Sequence, residues 1–337
     1  MITEKLAKEL GLKLSHVEVT IQLIDEGNTV PFIARYRKEA TGGMSDTTLR
    51  DLEERLIYLR GLEERKQEVI RLIDEQGKLT DELKADILSA EVLQRVEDLY
   101  KPYRQKRATR ASKAKEKGLE PLAEIIRAME LTGGTPEEAA VPFICSDPGL
   151  IEAGKGAATA EEALSGAADI IAEMIADDAD HTQRVRQKTF EAGQLVSEAA
   201  DPDESTVYDM YYDYSEALSK IPNHRILAIN RGEKEKKLKV RLKAPVDIIY
   251  DLLKDEIITN EGSIFLGIME VTVEDAYKRL MAPAIERELR NMLTERAEKE
   301  AVKVFAKNTE NLLMVPPVKD ARVIAVDPGF RTGCKVT

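Results

Sequence analysis

Apolar residues recur along most of this chain at helical rather than strand spacing. Between residues 45 and 76 they fall at Leu49, Leu52, Leu56, Leu59, Leu62, Val69 and Ile73. Because about 3.6 residues complete a helical turn, intervals of three, four and seven place these side chains on one stripe. Charged residues fill the remaining faces and Gly77 supplies a stop. The pattern predicts a long amphipathic helix packed on other helices. Downstream, Thr135-Pro136-Glu137-Glu138 combines an N-cap, a proline at the first helical position and a capping-box glutamate, and Thr159 with Glu162 repeats the box. Thr272 with Asp275 reads as the opening of a last long helix through Ala306, which Pro283 should break or kink for want of an N–H.

Strand signals are few. Leu238-Lys239-Val240-Arg241-Leu242 alternates apolar and basic, residues 263–267 are ambiguous, and the charged stretch from Gly232 reads as a turn or frayed helix end. Near the end, Val323, Ile324, Ala325 and Val326 predict a strand, followed by Asp327, a Pro328-Gly329 turn and the start of a second strand. Two strands alone are marginally stable in water, so the chain is expected to stop just inside a second domain. Everything before Asp320 reads as mainly helical, with no repeat period of the solenoid kind.

Composition sharpens this picture. The 337 residues are 43% hydrophobic, enough for a large core and for two or more domains, while aromatics are only 5% with no Trp. Net charge is −12, which excludes a surface that attracts nucleic acid everywhere and puts the weight on local charge. Cys145 and Cys334 form neither a disulfide framework nor a C-x-x-C motif. The N-terminus lacks a signal-peptide core, and no apolar run of about 18 residues occurs. These features predict a soluble protein of the reducing cytoplasm, with no membrane partner.

Two basic groups are candidates for chemistry. Residues 101–117 carry Lys101, Arg104, Lys106, Arg107, Arg110, Lys113, Lys115 and Lys117 against Glu116 alone, with Tyr100 and Tyr103 at the start. Rings there could stack on unpaired bases. Contact with about five phosphates would give a salt slope near −4.5 on duplex DNA, at about −0.9 per phosphate. The alternative is a solvated loop whose arginines pair with acidic clusters such as Asp177, Asp178 and Asp180, or Asp201, Asp203 and Glu204. The second group, Arg35, Tyr36, Arg37 and Lys38, follows Val30-Pro31-Phe32-Ile33 and precedes Thr41-Gly42-Gly43. It could face phosphate, or lock helices together through buried bidentate pairs with carboxylates, and the internal role is favoured. Pro31 biases its surroundings away from a helix interior.

Other motifs are set aside. Gly149 to Lys155 fits G-x-x-x-x-G-K, but Gly156 stands where a P-loop needs Ser or Thr, and Pro142 and Pro148 interrupt the preceding segment. His16, His181 and His224 are isolated, without zinc-motif spacing, and His224 reads as a packing or cap residue. No G-x-S-x-G elbow occurs.

Taken in order, several long segments resemble the N-terminal part of the Tex family of bacterial transcription accessory proteins. They are TVPFIARYRKEATGGMSD from Thr29, VEDLYKPYRQKRATRASKAKEKGLEPLA from Val96 and EEALSGAADIIAEMIADDA from Glu161. YDMYYDYSEALSKIPNHRILAINRGE from Tyr208, MAPAIERELRNMLTERAEKEAVKVFAKNTENLL from Met281 and RVIAVDPGFRTGCKVT from Arg322 complete the series. The resemblance implies a mainly α fold: a multi-helix platform with a helix-turn-helix-like portion, then the first β-hairpin of a truncated RNase H-like (YqgF) α/β domain. The implied domains are residues 1–195, 196–319 and 320–337. It also implies a helix-hairpin-helix module and an OB-fold RNA-binding domain further on in full-length members. A kinship with a eukaryotic elongation factor that chaperones histones supports a role beside RNA polymerase.

Asp327 matches the first carboxylate of the resolvase-like pattern, where hard oxygen ligands suit Mg²⁺. The Tex-type domain looks more like a scaffold, so the resemblance carries over no catalytic residue, metal or cofactor. The resulting expectation is a non-enzymatic, nucleic-acid-associated transcription factor whose partners are RNA or DNA and the transcription machinery. Its candidate contacts are Lys101, Arg104, Lys106, Arg107, Arg110 and Lys113, with Arg35, Arg37 and Lys38. The rivals are a metal-dependent nuclease centred on Asp327 and a scaffold that docks proteins only.

Overall fold

The computed structural model describes the chain except Met1 and residues 105–107, 317–318, 320–321 and 330–332. The protein is mainly α. It opens with α1 (Ile2–Leu10), α2 (Leu14–Asp25), α3 (Val30–Tyr36), α4 (Asp46–Asp74), α5 (Asp81–Ser89) and α6 (Leu93–Tyr100). A 3₁₀ turn, Lys101–Tyr103, leads towards α7 (Arg110–Glu116), α8 (Glu120–Ala128), α9 (Pro136–Ala140), α10 (Pro148–Glu152), α11 (Ala160–Asp177) and α12 (Ala179–Ala192). Then come β1 (Gln194–Ala199), β2 (Asp213–Ala217), α13 (Asn223–Lys234), β3 (Leu238–Lys243), α14 (Val246–Ile257) and α15 (Leu266–Asp275). A π-helical turn, Ala276–Met281, precedes α16 (Ala282–Leu313), and β4 (Val326–Gly329) and β5 (Gly333–Val336) follow. The elements form two compact units, Met1–Thr189 with Val246–Ala284, and Phe190–Pro245 with Ile285–Thr337.

In the first unit the stripe on α4 serves two cores. Leu49, Leu52, Leu56 and Leu59 pack with Leu6, Val17, Val30 and Ile33 from α1 to α3. Leu62, Val69 and Ile73 pack with Ile87, Val96 and Leu99 from α5 and α6. Each such leucine, fully buried, contributes roughly 1.5–3 kcal/mol. Ser45 Oγ starts the helix by accepting from Thr48 N–H at 3.1 Å. Small residues bring α11 close to its neighbours: a Cβ on Gly166 would lie 2.5 Å from Leu119 and 3.3 Å from Ala114.

Caps and breaks depart from the sequence pattern in informative ways. The Thr135–Glu138 capping box forms in both directions. At Thr159 only half of it does: Thr159 Oγ1 accepts from Glu162 N–H, while the Glu162 carboxylate takes the Ala158 N–H at 2.8 Å and pairs with Lys117. A third box, Thr109 with Ser112, opens α7. Thr272 opens nothing, because its helix begins at Leu266 and its hydroxyl donates back to Ile268 O at 2.7 Å. Pro283 does not end the helical path either. The residues just before it widen into the π-helical turn, a pitch change that relieves the ring's clash with the preceding turn.

The second unit holds an antiparallel sheet of order β2-β1-β3, with Val196 opposite Ser215 on one side and Arg241 on the other. Gly232 of α13 lets Leu238 of β3 approach, since a Cβ there would meet Leu238 Cδ1 at 2.6 Å. The first turns of α16 are buried through Ile285, Leu289 and Leu293. Polar ties join them to the sheet and α13: the Glu286 carboxylate accepts from Leu242 N–H at 2.9 Å, and Arg290 donates to Glu233 at 2.9 Å. β4 and β5 pair antiparallel, with Asp327 opposite Lys335 and Pro328 opposite Cys334. The strand therefore starts at Val326 and runs through Asp327-Pro328-Gly329, whereas Val323, Ile324 and Ala325, expected to form it, lie before its start.

Candidate nucleic-acid interface

The basic run is divided among separate tasks. Lys101 Nζ donates to Ala176 O at 2.7 Å, where a cation meets the partial negative charge of the α11 C-terminus. Arg104 pairs with Glu97, which also takes Arg65 Nε at 2.6 Å. Both guanidinium groups lie 5.4 Å from the Tyr100 ring centroid, so that ring already carries two cations. The Tyr103 carbonyl accepts from Gln76. Lys115 pairs with Glu120 at 2.8 Å and Lys117 with Glu162. Glu97, Glu120 and Glu162 thus take Arg104, Lys115 and Lys117. Lys106 and Arg107 lie outside the described residues. Arg110 and Lys113, on α7, are exposed and carry no ion pair among the described residues. Arg110 does act at a distance on Asp169, whose carboxyl is pushed up first by burial and held back by Arg279 and Arg110.

The α3 group is built differently. Pro31 sits in the first helical turn, where its missing N–H would have had no helical partner. Val30 and Ile33 face the core, while Phe32 and Tyr36, four residues apart, lie on the outside with ring centroids 5.1 Å apart. Arg37 places its guanidinium carbon 5.5 Å from the Phe32 centroid. Arg35, Arg37 and Lys38 are exposed and have no carboxylate partner among the described residues. The expected internal lock of bidentate pairs is therefore absent: the helix buries its apolar face and leaves the cations in water.

The loop after α3 is pinned. Thr41 is fully buried, its hydroxyl donating towards Arg37 O at 3.2 Å and Lys38 O at 3.3 Å, and Gly43 N–H donates to Lys38 O at 2.7 Å. Gly42 has φ +68° with the His16 ring packed where a Cβ would stand. Only glycine meets both conditions without strain. The aromatic pair was visible in the sequence as Phe32 and Tyr36 at a four-residue interval, a signal the basic residues beside it overshadowed.

The G-x-x-x-x-G-K stretch makes no phosphate cradle. Asp147 caps the short α10 by accepting from Gly149 N–H at 2.8 Å, and Lys155 N–H donates to Leu150 O at 2.8 Å. Those donors are spent within the loop. Asp327 is exposed, and among the described residues no group of three or more His, Cys, Asp or Glu could hold a metal ion. No described helix is long and apolar enough to cross a membrane.

A family profile for the Tex-like protein N-terminal domain matches residues 1–74, and one described as Tex central region-like matches residues 133–305, about half of the chain. The chain belongs to the Tex family. The α3 group falls within the first Tex match, whereas residues 101–117 lie between the two. Protein YdcI of Bacillus subtilis is 48% identical over 100% of this chain and 46% of its own length. The transcriptional accessory protein Tex of Neisseria gonorrhoeae is 37% identical, over 99% of this chain and 44% of its own. Human S1 RNA-binding domain-containing protein 1 is 31% identical over 94% of this chain and 32% of its own. The chain thus spans less than half the length of each of these relatives.

Proposed function

We propose that this chain is the helical scaffold part of a nucleic-acid-associated transcription accessory factor that works in the cytoplasm beside RNA polymerase. The observation that carries the reading is the match, over 99% of this chain, to a relative named transcriptional accessory protein Tex, together with one named for an S1 RNA-binding domain. Exposed cations without ion pairs, Arg110 and Lys113 on α7 and the α3 group, support it, since a chain of net charge −12 can meet phosphate only through such local sites.

Fluorescence anisotropy with single-stranded RNA and duplex DNA across a salt series tests it. Binding should weaken with salt, and Arg110→Gln with Lys113→Gln should flatten the slope by about 0.7 per lost phosphate contact on a single strand. An unchanged slope would remove α7 from the interface. In this reading the protein catalyses nothing. Mg²⁺-dependent cleavage by the full-length protein, abolished by Asp327→Asn, would replace scaffold with nuclease.

A further inference from the structure

The α3 ledge has a composition that phosphate contact alone does not require. Phe32 is 37% exposed and Tyr36 59%, in a chain with few aromatic residues. Their side chains stand side by side, with one guanidinium over the first ring and two further cations at Arg35 and Lys38. Glu39 is the acidic residue beside them in sequence. The ledge is anchored from beneath, α3 by Val30 and Ile33 and the following loop by Thr41 and by His16 against Gly42.

We infer that this ledge binds single-stranded RNA, stacking an unpaired base on Phe32 and Tyr36 while Arg35, Arg37 and Lys38 meet the flanking phosphates. The inference rests on the reading of the chain as nucleic-acid-associated and names a substrate class and a site for it. Every base offers a flat π face once it is unstacked, and aromatic side chains beside cations are what hold such bases. A duplex keeps its bases stacked and would use the cations alone. An acidic peptide would likewise use the cations and leave the rings idle.

The test measures binding of the 337-residue chain to a uridine oligonucleotide, to an abasic oligonucleotide of the same length and to duplex RNA. The uridine strand should bind tighter than the abasic one by about tenfold per stacked base. Phe32→Ala with Tyr36→Ala should remove that difference and leave the salt slope unchanged. Arg35→Gln with Lys38→Gln should flatten the slope by about 0.7 per phosphate. Photocrosslinking of 4-thiouridine RNA to the unsubstituted chain gives a readout independent of variant folding, and the crosslinks should fall on Phe32 or Tyr36. Equal affinity for uridine and abasic strands, or crosslinks only elsewhere, would overturn the inference while leaving nucleic-acid association standing. Preference for a glutamate-rich peptide over RNA at this ledge would overturn it in favour of a protein partner. Failure of the chain to bind any nucleic-acid probe at low salt would bring down the site and remove support for direct contact by this chain.

Discussion

Asp98 shows how costly a single carboxylate can be to lose. It is nearly buried, and both of its oxygens accept from Arg186 at 2.9 Å, with Gln94 donating at 3.1 Å. Removing one partner of a buried pair weakens the hold on the other charge, so Asp98→Ala should destabilise the protein in urea unfolding, by at most about 3–5 kcal/mol. A cost below about 1 kcal/mol, the scale of a surface pair, would show that Arg186 finds other relief. Gly42→Ala should also destabilise, by about 1–2 kcal/mol from the left-handed φ, with a further loss from the His16 ring. Adding His16→Ala should restore only that second part, a separation that a double-mutant cycle reads directly. Glu162 carries a pH signature. Its carboxyl is held below the usual range first by Lys117 and then by the Ala158 N–H. A depressed folded-state value contributes stability above the unfolded carboxylate range and loses it as pH falls through the folded value. Glu162→Gln should therefore leave a shallower acid limb in stability measured against pH.

Among the elements, α4 was the most legible, because a stripe held over many turns has one reading. Leu52→Ala should cost about 2–5 kcal/mol, and Ser45→Ala about 1 kcal/mol through the lost cap, both measurable by thermal unfolding. β3 was legible because its alternation is unbroken. β1 and β2 were not: Gln194–Ala199 and Asp213–Ala217 carry charged and polar residues at positions that a sheet edge or a half-buried face tolerates. Their pairing depends on partners distant in sequence. Thr272 misled because a threonine inside a helix can satisfy its hydroxyl by back-bonding to the fourth carbonyl before it, leaving no mark in the sequence that separates it from a cap. The ion pairs of residues 101–117 were hidden for a similar reason, since Glu162 meets Lys117 only once α11 lies against α7.

At the scale of the whole molecule, charge sets the terms of any encounter with nucleic acid. A net charge of −12 repels phosphate at long range, and within the basic run Arg104, Lys115 and Lys117 are neutralised by Glu97, Glu120 and Glu162. A site that uses only Arg35, Arg37 and Lys38 neutralises at most three phosphates. Its slope against salt should then be no steeper than about −2.1 on a single strand, taking about −0.7 for each. A steeper slope would mean that Arg110, Lys113 or further cations join the same strand. The family likeness was readable across the sequence, but which cations lack an ion pair was not, because pairing is a property of the packed elements.

The pinned turn of Thr41, Gly42 and Gly43 has a consequence for time as well as affinity. A ledge whose backbone is already fixed has no rearrangement to complete on meeting a ligand. Encounter, and not a slow isomerisation, should then set the approach to equilibrium, giving single-phase association in stopped flow with a rate linear in RNA concentration. Substitutions on the ledge should appear chiefly as shorter residence times, and loosening Gly42 should introduce a plateau in the association rate that the unsubstituted turn lacks.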